Sequence, residues 1–427
     1  MSKNFSPLEK TFARFLSNTP GLKRIIKKAY SFVLYLWYKK KWSYSSTSEI
    51  KKISVDNYES FFGYYDKKPD NGEGLVLVHL SSESTTKLPR DIDYIYINVY
   101  SLKNESFILK KPIKVRAFNW QQGCRTHWLT KDKFIFNDYD FERNEYCSFV
   151  YSLKKGCVED KIKVPVQDSF SDKYIISICY KKLASLRPDY GYFRHKNENE
   201  NENENEIGIW KYSFSSKSLE LIITIKELLA FEFDLNDKHC KHKVNHVMIS
   251  PNGEYFIFMH RYYNQSGKRF DRLILADNSG KLLKVIADFG MVSHCFWYDS
   301  NTIIGYLRSS EGKDSYWLIN IKTAKFSLFK PWEDTNGDGH PSVYNDFILT
   351  DTYPDKSRMQ TLYLTNKKSN LDISLGEFFH GFKFSNETRC DLHPRFSLCG
   401  NFVFFDSVYT GKRQLHYLDI SKYKSEL

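Results

Sequence analysis

One phrase of sequence recurs along this chain and constrains its fold more than any other feature. Residues 393–407 read HPRFSLCGNFVFFDS, which is a histidine, two spacers, an aromatic residue, a turn and an alternating run that predicts a β-strand. A near copy begins at His246, and looser copies begin at His294, His340 and His127. Successive copies from His246 onward are separated by 48, 46 and 53 residues. A repeat of roughly 45–50 residues built from short strands and turns is typical of a β-propeller blade.

The repeats divide the chain into blades that start near residues 61, 121, 168, 246, 294, 340 and 393. We therefore predict an all-β fold, a seven-bladed β-propeller over residues 46–427, preceded by a short N-terminal helical extension over residues 1–45. Ile50 to Val55 are expected to pair with the last blade and so close the ring. The Asn/Glu alternation at about 196–206 is low-complexity and predicts a disordered loop.

Composition excludes several classes of function. The 63 basic and 51 acidic residues are interspersed, and no basic module with a nucleic-acid-binding pattern is present, so no nucleic-acid partner is expected. The eight cysteines show no CxxC pair and no disulfide spacing, which indicates a reducing compartment. The first twenty residues lack the apolar core of a signal peptide, so we expect a cytoplasmic protein and a monomer. Phosphate-binding loops, a GxSxG elbow and HExxH are also missing.

Residues 21–42, GLKRIIKKAYSFVLYLWYKKKW, differ from the rest of the chain because basic residues flank an apolar stretch of about ten residues, Ala29 to Tyr38. That stretch is half of the roughly 20 residues that cross a bilayer. A basic, aromatic helix of this kind is typical of the interface of an anionic membrane, which would make the protein peripheral on the inner face of the cell membrane. The alternatives are a helix packed on the outside of the propeller and a true span.

Four histidines precede the innermost strands of consecutive blades and should form an arc at one mouth of the channel, which His127 is expected to complete. Clustered neutral imidazoles suit a divalent metal or proton transfer, although a recurrent histidine can also bond only within its own blade. Arginine forks bind carboxylates, and aromatic faces with amide or carboxylate neighbours bind sugars. The polar and aromatic residues beside the arc are therefore candidates for substrate binding: Tyr64, Tyr65, Asp66, Gln122, His127, Arg187, Tyr190, Asp391 and Arg395.

The blade phrase, the segment DGHPS…ILTDTYPD and the ending DLHPRFS…VFFDSVYTGKRQLHYLDI resemble the seven-bladed propellers related to oligogalacturonate lyase. They look closer still to a branch of that family associated with surface-polysaccharide genes. The likeness covers roughly residues 58–421. It implies that channel histidines hold a divalent metal, manganese or similar, which binds a uronate carboxylate.

Carried over by position, the resemblance makes His294, His340 and His393 metal ligands, His246 the catalytic base, and Arg261 or Arg389 the catalytic carboxylate partner. It implies a lyase that acts on an acidic, uronate-containing glycan by histidine-assisted β-elimination. The alternatives are a non-catalytic glycan-binding or assembly protein in the biosynthesis of capsule or O-antigen at the cell surface, and a protein-interaction scaffold. Its partners would be an acidic oligosaccharide and, through residues 21–42, an anionic membrane surface.

Overall fold

The computed structural model describes residues 20–194, 207–232, 241–263, 268–332 and 337–426. In these ranges the chain forms seven antiparallel sheets that are the blades of a β-propeller, preceded by one helix. The predicted fold class is therefore confirmed. The Asn/Glu loop predicted at 196–206 lies outside the described residues.

The chain begins with helix α1 (Pro20–Tyr38) and two short strands, β1 (Tyr44–Ser46) and β2 (Ile50–Ile53). The strands of blade one are β3 (Glu59–Phe61), β4 (Leu75–Ser81), β5 (Ile95–Ser101), β6 (Ser106–Phe107) and β7 (Ile113–Val115). Those of blade two are β8 (His127–Trp128), β9 (Lys133–Asp140), β10 (Glu145–Ser152) and β11 (Cys157–Ile162). Those of blade three are β12 (Asp168–Phe170), β13 (Tyr174–Ile178), β14 (Gly208–Ser213) and β15 (Leu219–Thr224).

The strands of blade four are β16 (Lys241–Ile249), β17 (Tyr255–Tyr263), β18 (Arg269–Asp277) and β19 (Leu282–Ala287). Those of blade five are β20 (Val292–Trp297), β21 (Thr302–Arg308), β22 (Asp314–Asn320) and β23 (Phe326–Leu328). Those of blade six are β24 (Ser342–Tyr344), β25 (Phe347–Asp351), β26 (Met359–Asn366) and β27 (Asp372–Phe379). Those of blade seven are β28 (Arg395–Phe396), β29 (Phe402–Ser407) and β30 (Gln414–Asp419). Three short helices complete the chain: α2 (Tyr180–Leu186), α3 (Ile225–Ala230) and α4 (Tyr423–Glu426).

Successive residues of a blade strand enter two different cores, because a strand turns alternate side chains to opposite faces and each blade is covered on both. In β29, Phe404 packs in the core shared with blades one and two, whereas its neighbour Phe405 packs in the core shared with blade six. Both phenylalanines are fully buried. The alternating aromatic residues of the repeat therefore join neighbouring blades, and the ring of cores holds the innermost strands around the channel.

The ring closes through the N-terminal segment. Strand β2 pairs antiparallel with β30, from Ile50 opposite Leu418 to Ile53 opposite Leu415. This is the closure predicted for Ile50 to Val55. The preceding residues also form a strand: β1 pairs with β27 and covers the outer edge of blade six. An edge strand left bare exposes unpaired backbone groups, and both pairings remove such an edge.

We expect Ile53→Ala to lower the free energy of unfolding by about 2–5 kcal/mol, the usual cost of truncating a fully buried isoleucine. Ile53 is the buried residue of β2 and packs with Phe61 and Leu415 in the core shared with blade one. Urea denaturation measures the change. Lys52→Ala is the matched control, since Lys52 is exposed on the same strand. Equal losses for the two variants would contradict a closing role for β2.

Among the described residues, no helix is long and apolar enough to cross a membrane.

Candidate functional site

Three of the repeated histidines meet at one end of the channel. The ring centroids of His294 and His340 are 4.0 Å apart, and those of His340 and His393 are 4.3 Å apart. Each histidine lies in or just before the innermost strand of its blade, so the blade repeat places the rings at the same height. His246 joins them through Tyr64, whose ring stacks on His246 and meets His393 edge-on. The predicted arc thus contains these four residues.

The three rings are oriented by hydrogen bonds from the same nitrogen. Nδ1 of His294 donates to Asp338 at 3.1 Å, and Nδ1 of His340 donates to Asp351 at 2.8 Å. Nδ1 of His393 donates to the carbonyl oxygen of Gly63 at 3.0 Å. Ionised carboxylates and carbonyls only accept hydrogen bonds, so Nδ1 must carry the proton in each ring. When the rings are neutral, each Nε2 therefore presents a lone pair.

A cation fits between two of these lone pairs and one carboxylate. Ligand atoms of His340, His393 and Asp391 all lie within 4.8 Å of one another. Nε2 of His340 and Nε2 of His393 are buried and have no hydrogen-bond partner among the described residues. A buried polar atom without a hydrogen-bond partner costs folding free energy. Histidines that bind a divalent metal usually donate their other ring N–H to a carboxylate or carbonyl oxygen, as Nδ1 does here. The donor set therefore fits a metal ion.

Charges around His340 favour a cation at this position. Burial by itself lowers the pKa of His340, but Asp351, Asp391 and Asp338 outweigh it and raise the pKa above its ordinary value. Burial raises the pKa of Asp391, and Arg389 with His340 reverses that effect, so this carboxyl stays ionised. The carboxylates that stabilise a proton on His340 would stabilise a metal ion in its place.

The loop after β3 fills the middle of the histidine group with two tyrosines. Tyr65 lies against His340 with ring centroids 5.3 Å apart and donates a hydrogen bond from its hydroxyl to the carbonyl of Cys295. Gly63 precedes the tyrosines with φ +114°, and a Cβ on it would lie 2.8 Å from the backbone of Gln122. Only glycine fits both the backbone angle and this close approach. The tight turn at Gly63 therefore places both tyrosines in the channel.

His246 has the properties of a neutral base. Burial, with a smaller effect from Arg261, holds its pKa well below the ordinary range, so the ring is uncharged at neutral pH. Its Nδ1 is buried and has no hydrogen-bond partner among the described residues. Tyr64 stacks on one face at 5.2 Å and Tyr190 meets the ring edge-on at 4.9 Å. These rings hold the imidazole in one orientation.

Two arginines form the outer rim of the site. Arg389 pairs with Asp391 and lies 5.3 Å from the ring of Tyr353, and Arg187 pairs with Asp189 and lies 5.0 Å from the ring of Tyr190. Their side chains are 27% and 23% exposed, whereas the histidines are buried. The site is therefore a buried imidazole group beneath a cationic rim.

Four predicted site residues bind partners outside the histidine group. His127 bonds to the carbonyl of Arg125 and the hydroxyl of Ser169, away from the other histidines. Both carboxylate oxygens of Asp66 are bound by Arg125, at 2.9 and 2.8 Å, and both side chains are buried. Desolvated ion pairs of this kind hold blades together and are closed to a ligand.

The other two are arginines in similar pairs. Arg395 is fully buried and binds Asp406 at 3.0 Å, and Arg261 is buried and binds Asp271 at 2.7 Å. Arg261 still influences the pKa of His246, but neither guanidinium is on the rim. Gln122 is buried as well, and its side-chain oxygen has no hydrogen-bond partner among the described residues.

The sequence analysis gave no role to Asp338 and Asp351, the two carboxylates that orient histidines. It placed Asp391 among the substrate-binding residues, and in the structure the Asp391 carboxylate also lies within 4.8 Å of ligand atoms of His340 and His393. Asp338 is two residues before His340 and Asp351 lies in the TDTYPD segment, so proximity to conspicuous motifs was the available signal. It also missed Lys243, whose pKa burial lowers to about 6, helped by Arg261 and Arg187. Its amine donates a hydrogen bond to the carbonyl of Leu186, the residue before Arg187, at 3.2 Å.

No protein-family model matches this chain, and a comparison with curated protein sequences finds no match. Solved structures do match in fold. An oligogalacturonate lyase from Vibrio parahaemolyticus is 12% identical with a TM-score of 0.56, over 89% of this chain and 97% of that one. An oligogalacturonate lyase in complex with manganese is 10% identical with a TM-score of 0.41, over 90% and 96%. The propeller domain of the trilobed protease of Pyrococcus furiosus is 11% identical with a TM-score of 0.48, over 84% and 97%. The fold is thus similar to that of oligogalacturonate lyase.

Proposed function

We propose that this propeller is a metal-dependent lyase-like enzyme that acts on an acidic, uronate-containing glycan by histidine-assisted β-elimination. The observation that carries the proposal is the pair of buried, unpartnered Nε2 atoms on His340 and His393 beside the carboxylate of Asp391. The likeness in fold to an oligogalacturonate lyase supports it, because the same architecture carries an enzyme whose name specifies a uronate glycan.

His340, His393 and Asp391 would hold the metal, with His294 adjacent to His340. When bound, a divalent cation supplies positive charge that neutralises a substrate carboxylate and so acidifies the neighbouring C–H bond. Asp351 has a second task in this group: it accepts from the backbone N–H of both His340 and His393, at 2.8 and 3.1 Å. One carboxylate thus sets the position of both ligand-bearing segments.

The rim arginines would bind the sugar. A guanidinium presents paired N–H donors that match a carboxylate, and partial exposure leaves Arg389 and Arg187 able to exchange an internal carboxylate for one on the ligand. Tyr353 lies beside Arg389 and near His294, so it offers an aromatic face between the rim and the histidines. An acidic sugar has a carboxylate that the guanidinium would bind and a ring face that the tyrosine would contact.

His246 would remove the proton from the carbon next to the substrate carboxylate. The electron pair of that C–H bond forms the new double bond, the adjacent carbon–oxygen bond to the next sugar breaks, and the leaving oxygen takes a proton from water. A base must be uncharged to begin this step, and burial keeps His246 in that state at neutral pH.

One observation favours the alternative of a glycan-binding or assembly protein without catalysis. The four histidines are at most 7% exposed. Two cavities of the described residues, of about 460 and 500 Å³, are lined by other residues, at the outer strands of blade seven and between blades two and three. A ligand that met only the rim arginines would be bound and not cleaved.

The first test of the proposed function is whether the protein binds a metal ion. The purified protein, stripped with chelator and reloaded, is expected to bind about one divalent ion, and His393→Ala and Asp391→Asn are expected to weaken binding by about 100-fold or more, because each removes a ligand. His127→Gln is the matched control, a buried histidine outside the group. A protein that binds no metal, or variants that bind as tightly as the control, would overturn the proposed site.

Reaction with acidic oligosaccharides separates the two functions. Elimination creates an unsaturated sugar that absorbs in the ultraviolet, and we expect its formation to require metal and to be lost in His246→Ala. Arg389→Lys is expected to raise KM more than it lowers kcat, since Lys lacks the paired donors of a guanidinium. Metal-dependent binding of these glycans without any product would establish the binding protein.

A further inference from the structure

Helix α1 packs on blade six through one face. Tyr35 contacts Phe379 and Phe382 with ring centroids 5.6 and 5.5 Å apart, and Phe32 contacts Phe382 at 5.7 Å. After the helix, Lys40 pairs with Glu377 and β1 joins β27. Rings, an ion pair and a strand pairing therefore hold α1 against the propeller.

The side of α1 that is turned away from Tyr35 is apolar and exposed. Val33, Leu36 and Trp37 are 47%, 48% and 80% exposed. Residues three and four apart share one side of a helix, so Val33, Leu36 and Trp37 lie together. Tyr35 points about 160° away from Val33 and Trp37, and Phe32 lies at the boundary, about 40° from Leu36. We call Val33, Leu36 and Trp37 the outer stripe. A surface helix of a globular protein usually has one apolar side, which packs on the core, and a polar side toward solvent. An additional exposed apolar surface indicates a binding site.

The charges around the outer stripe select an anionic partner. Between Lys10 and Ser48 the sequence contains no Asp or Glu, and Lys28, Lys39 and Lys41 are exposed at the two ends of the stripe. A second copy of this chain would bring the same lysines together, so self-association is disfavoured by like charge. A tryptophan in an apolar stripe with lysines at both ends matches the headgroup layer of an anionic bilayer.

The helix lies at the same end of the propeller as the histidines. Strand β27 ends at Phe379, and the connection 380–394 then carries Phe382, Arg389 and Asp391 to His393. Since α1 packs on Phe379 and Phe382, it lies against the start of the connection that forms the rim of the site. We call this end of the propeller, where His294, His340 and His393 meet, the site face.

We propose that α1 docks the site face of the propeller on an anionic lipid bilayer, with the outer stripe in the headgroup layer and Lys28, Lys39 and Lys41 beside the lipid phosphates. The mouth of the site then lies at the bilayer surface. If the proposed function also holds, on which this last step rests, the substrate is an acidic glycan displayed at a membrane and not one free in solution.

Vesicle flotation of the full-length protein tests the docking. We expect binding to phosphatidylcholine vesicles that contain phosphatidylglycerol, a blue shift of tryptophan emission, and weaker binding at high salt. Trp37→Glu should reduce the affinity by about tenfold or more, because it removes apolar contact and adds a repelled charge. Trp37→Ser removes only the contact and should give a smaller reduction.

Leu371→Glu is the matched control, because Leu371 is 54% exposed in the β26–β27 turn, on the same blade at the opposite end. It should bind vesicles like the unaltered protein. Absence of binding to anionic vesicles, equal losses for Trp37→Glu and Leu371→Glu, or a dimer that Trp37→Glu dissociates without any vesicle binding would each overturn docking. Metal content of Trp37→Glu should be unchanged, so a failure of docking is distinguished from a failure of the proposed site.

Discussion

Asp406→Ala is expected to lower the free energy of unfolding by about 3–5 kcal/mol, because it leaves a buried arginine and two backbone donors without their acceptor. Asp406 accepts from the backbone N–H of Phe62 at 3.0 Å and of Gly63 at 2.9 Å, and it pairs with Arg395 at 3.0 Å. Arg395 in turn donates to the carbonyls of Gly63 and His393. This carboxylate therefore fixes the tyrosine loop to blade seven.

The same substitution should also weaken metal binding, although Asp406 is not a ligand. His393 takes its orientation from the carbonyl of Gly63, which Asp406 and Arg395 hold in position. Urea denaturation and metal titration of one protein preparation measure both effects. Asp56→Ala is the control, since Asp56 is exposed before β3, and it should change neither quantity.

Removing both partners of the pair should cost less than the sum of the single changes. Asp406→Leu with Arg395→Met leaves no unpaired buried charge, and breaking one side of a buried ion pair is usually the larger loss. Additive losses in this cycle would show that the two side chains act independently, contrary to the geometry.

Acid is expected to unfold the protein over a narrow pH range, because several buried histidines must be charged in the unfolded chain. Burial lowers the pKa of His79, His380 and His416 to about 3 in each case. In the unfolded chain each returns to an ordinary pKa near 6.5. Between about pH 6.5 and 3 the unfolded state therefore binds more protons than the folded state, so stability rises with pH and is lost as pH falls.

Each such histidine contributes a slope of about 1.4 kcal/mol per pH unit, and the three together about 4 kcal/mol per unit. Domains are usually stable by about 5–15 kcal/mol, and about 6–10 kcal/mol of that would be lost by pH 4–5 through these three rings alone. Urea denaturation at a series of pH values measures the slope. An unfolding free energy that is flat between pH 6 and 4 would contradict the buried, neutral state of these rings.

The variant His416→Phe isolates the contribution of one of the three histidines to the pH dependence. The imidazole lies 5.3 Å from the ring of Phe405 and 5.0 Å from that of Tyr409, so a phenyl ring fits the same aromatic group without titrating. Between pH 6 and 4 we expect the unfolding free energy of this variant to depend less steeply on pH, by about 1.4 kcal/mol per pH unit. Leu371→Ala, at an exposed apolar site, should leave the slope unchanged.

The position of His127 shows how far the sequence repeat predicts equivalent residues. In blade two the turn between the first two strands is shorter, and Arg125 occupies the position of His246 and His393. All three residues have positive φ, of 56°, 51° and 45°, which marks their equivalence. A loose repeat cannot resolve a shift of two residues, because histidine, aromatic and strand still follow in the same order. The backbone angle φ identifies the equivalent residue, and φ cannot be read from the sequence.

The sequence by itself determined the seven blades, the closing strand and the meeting of four histidines, because all three follow from a repeat whose equivalent positions must coincide around a ring. Only the tertiary structure decided which charged residues lie beside the histidines and which are paired elsewhere. Asp66 and Arg395 look like rim residues in the sequence but are neutralised in buried ion pairs, whereas Asp351 and Asp391 lie against the histidine group. Burial and pairing depend on contacts between residues far apart in the chain, so they set the chemistry of each charge only after the ring has closed.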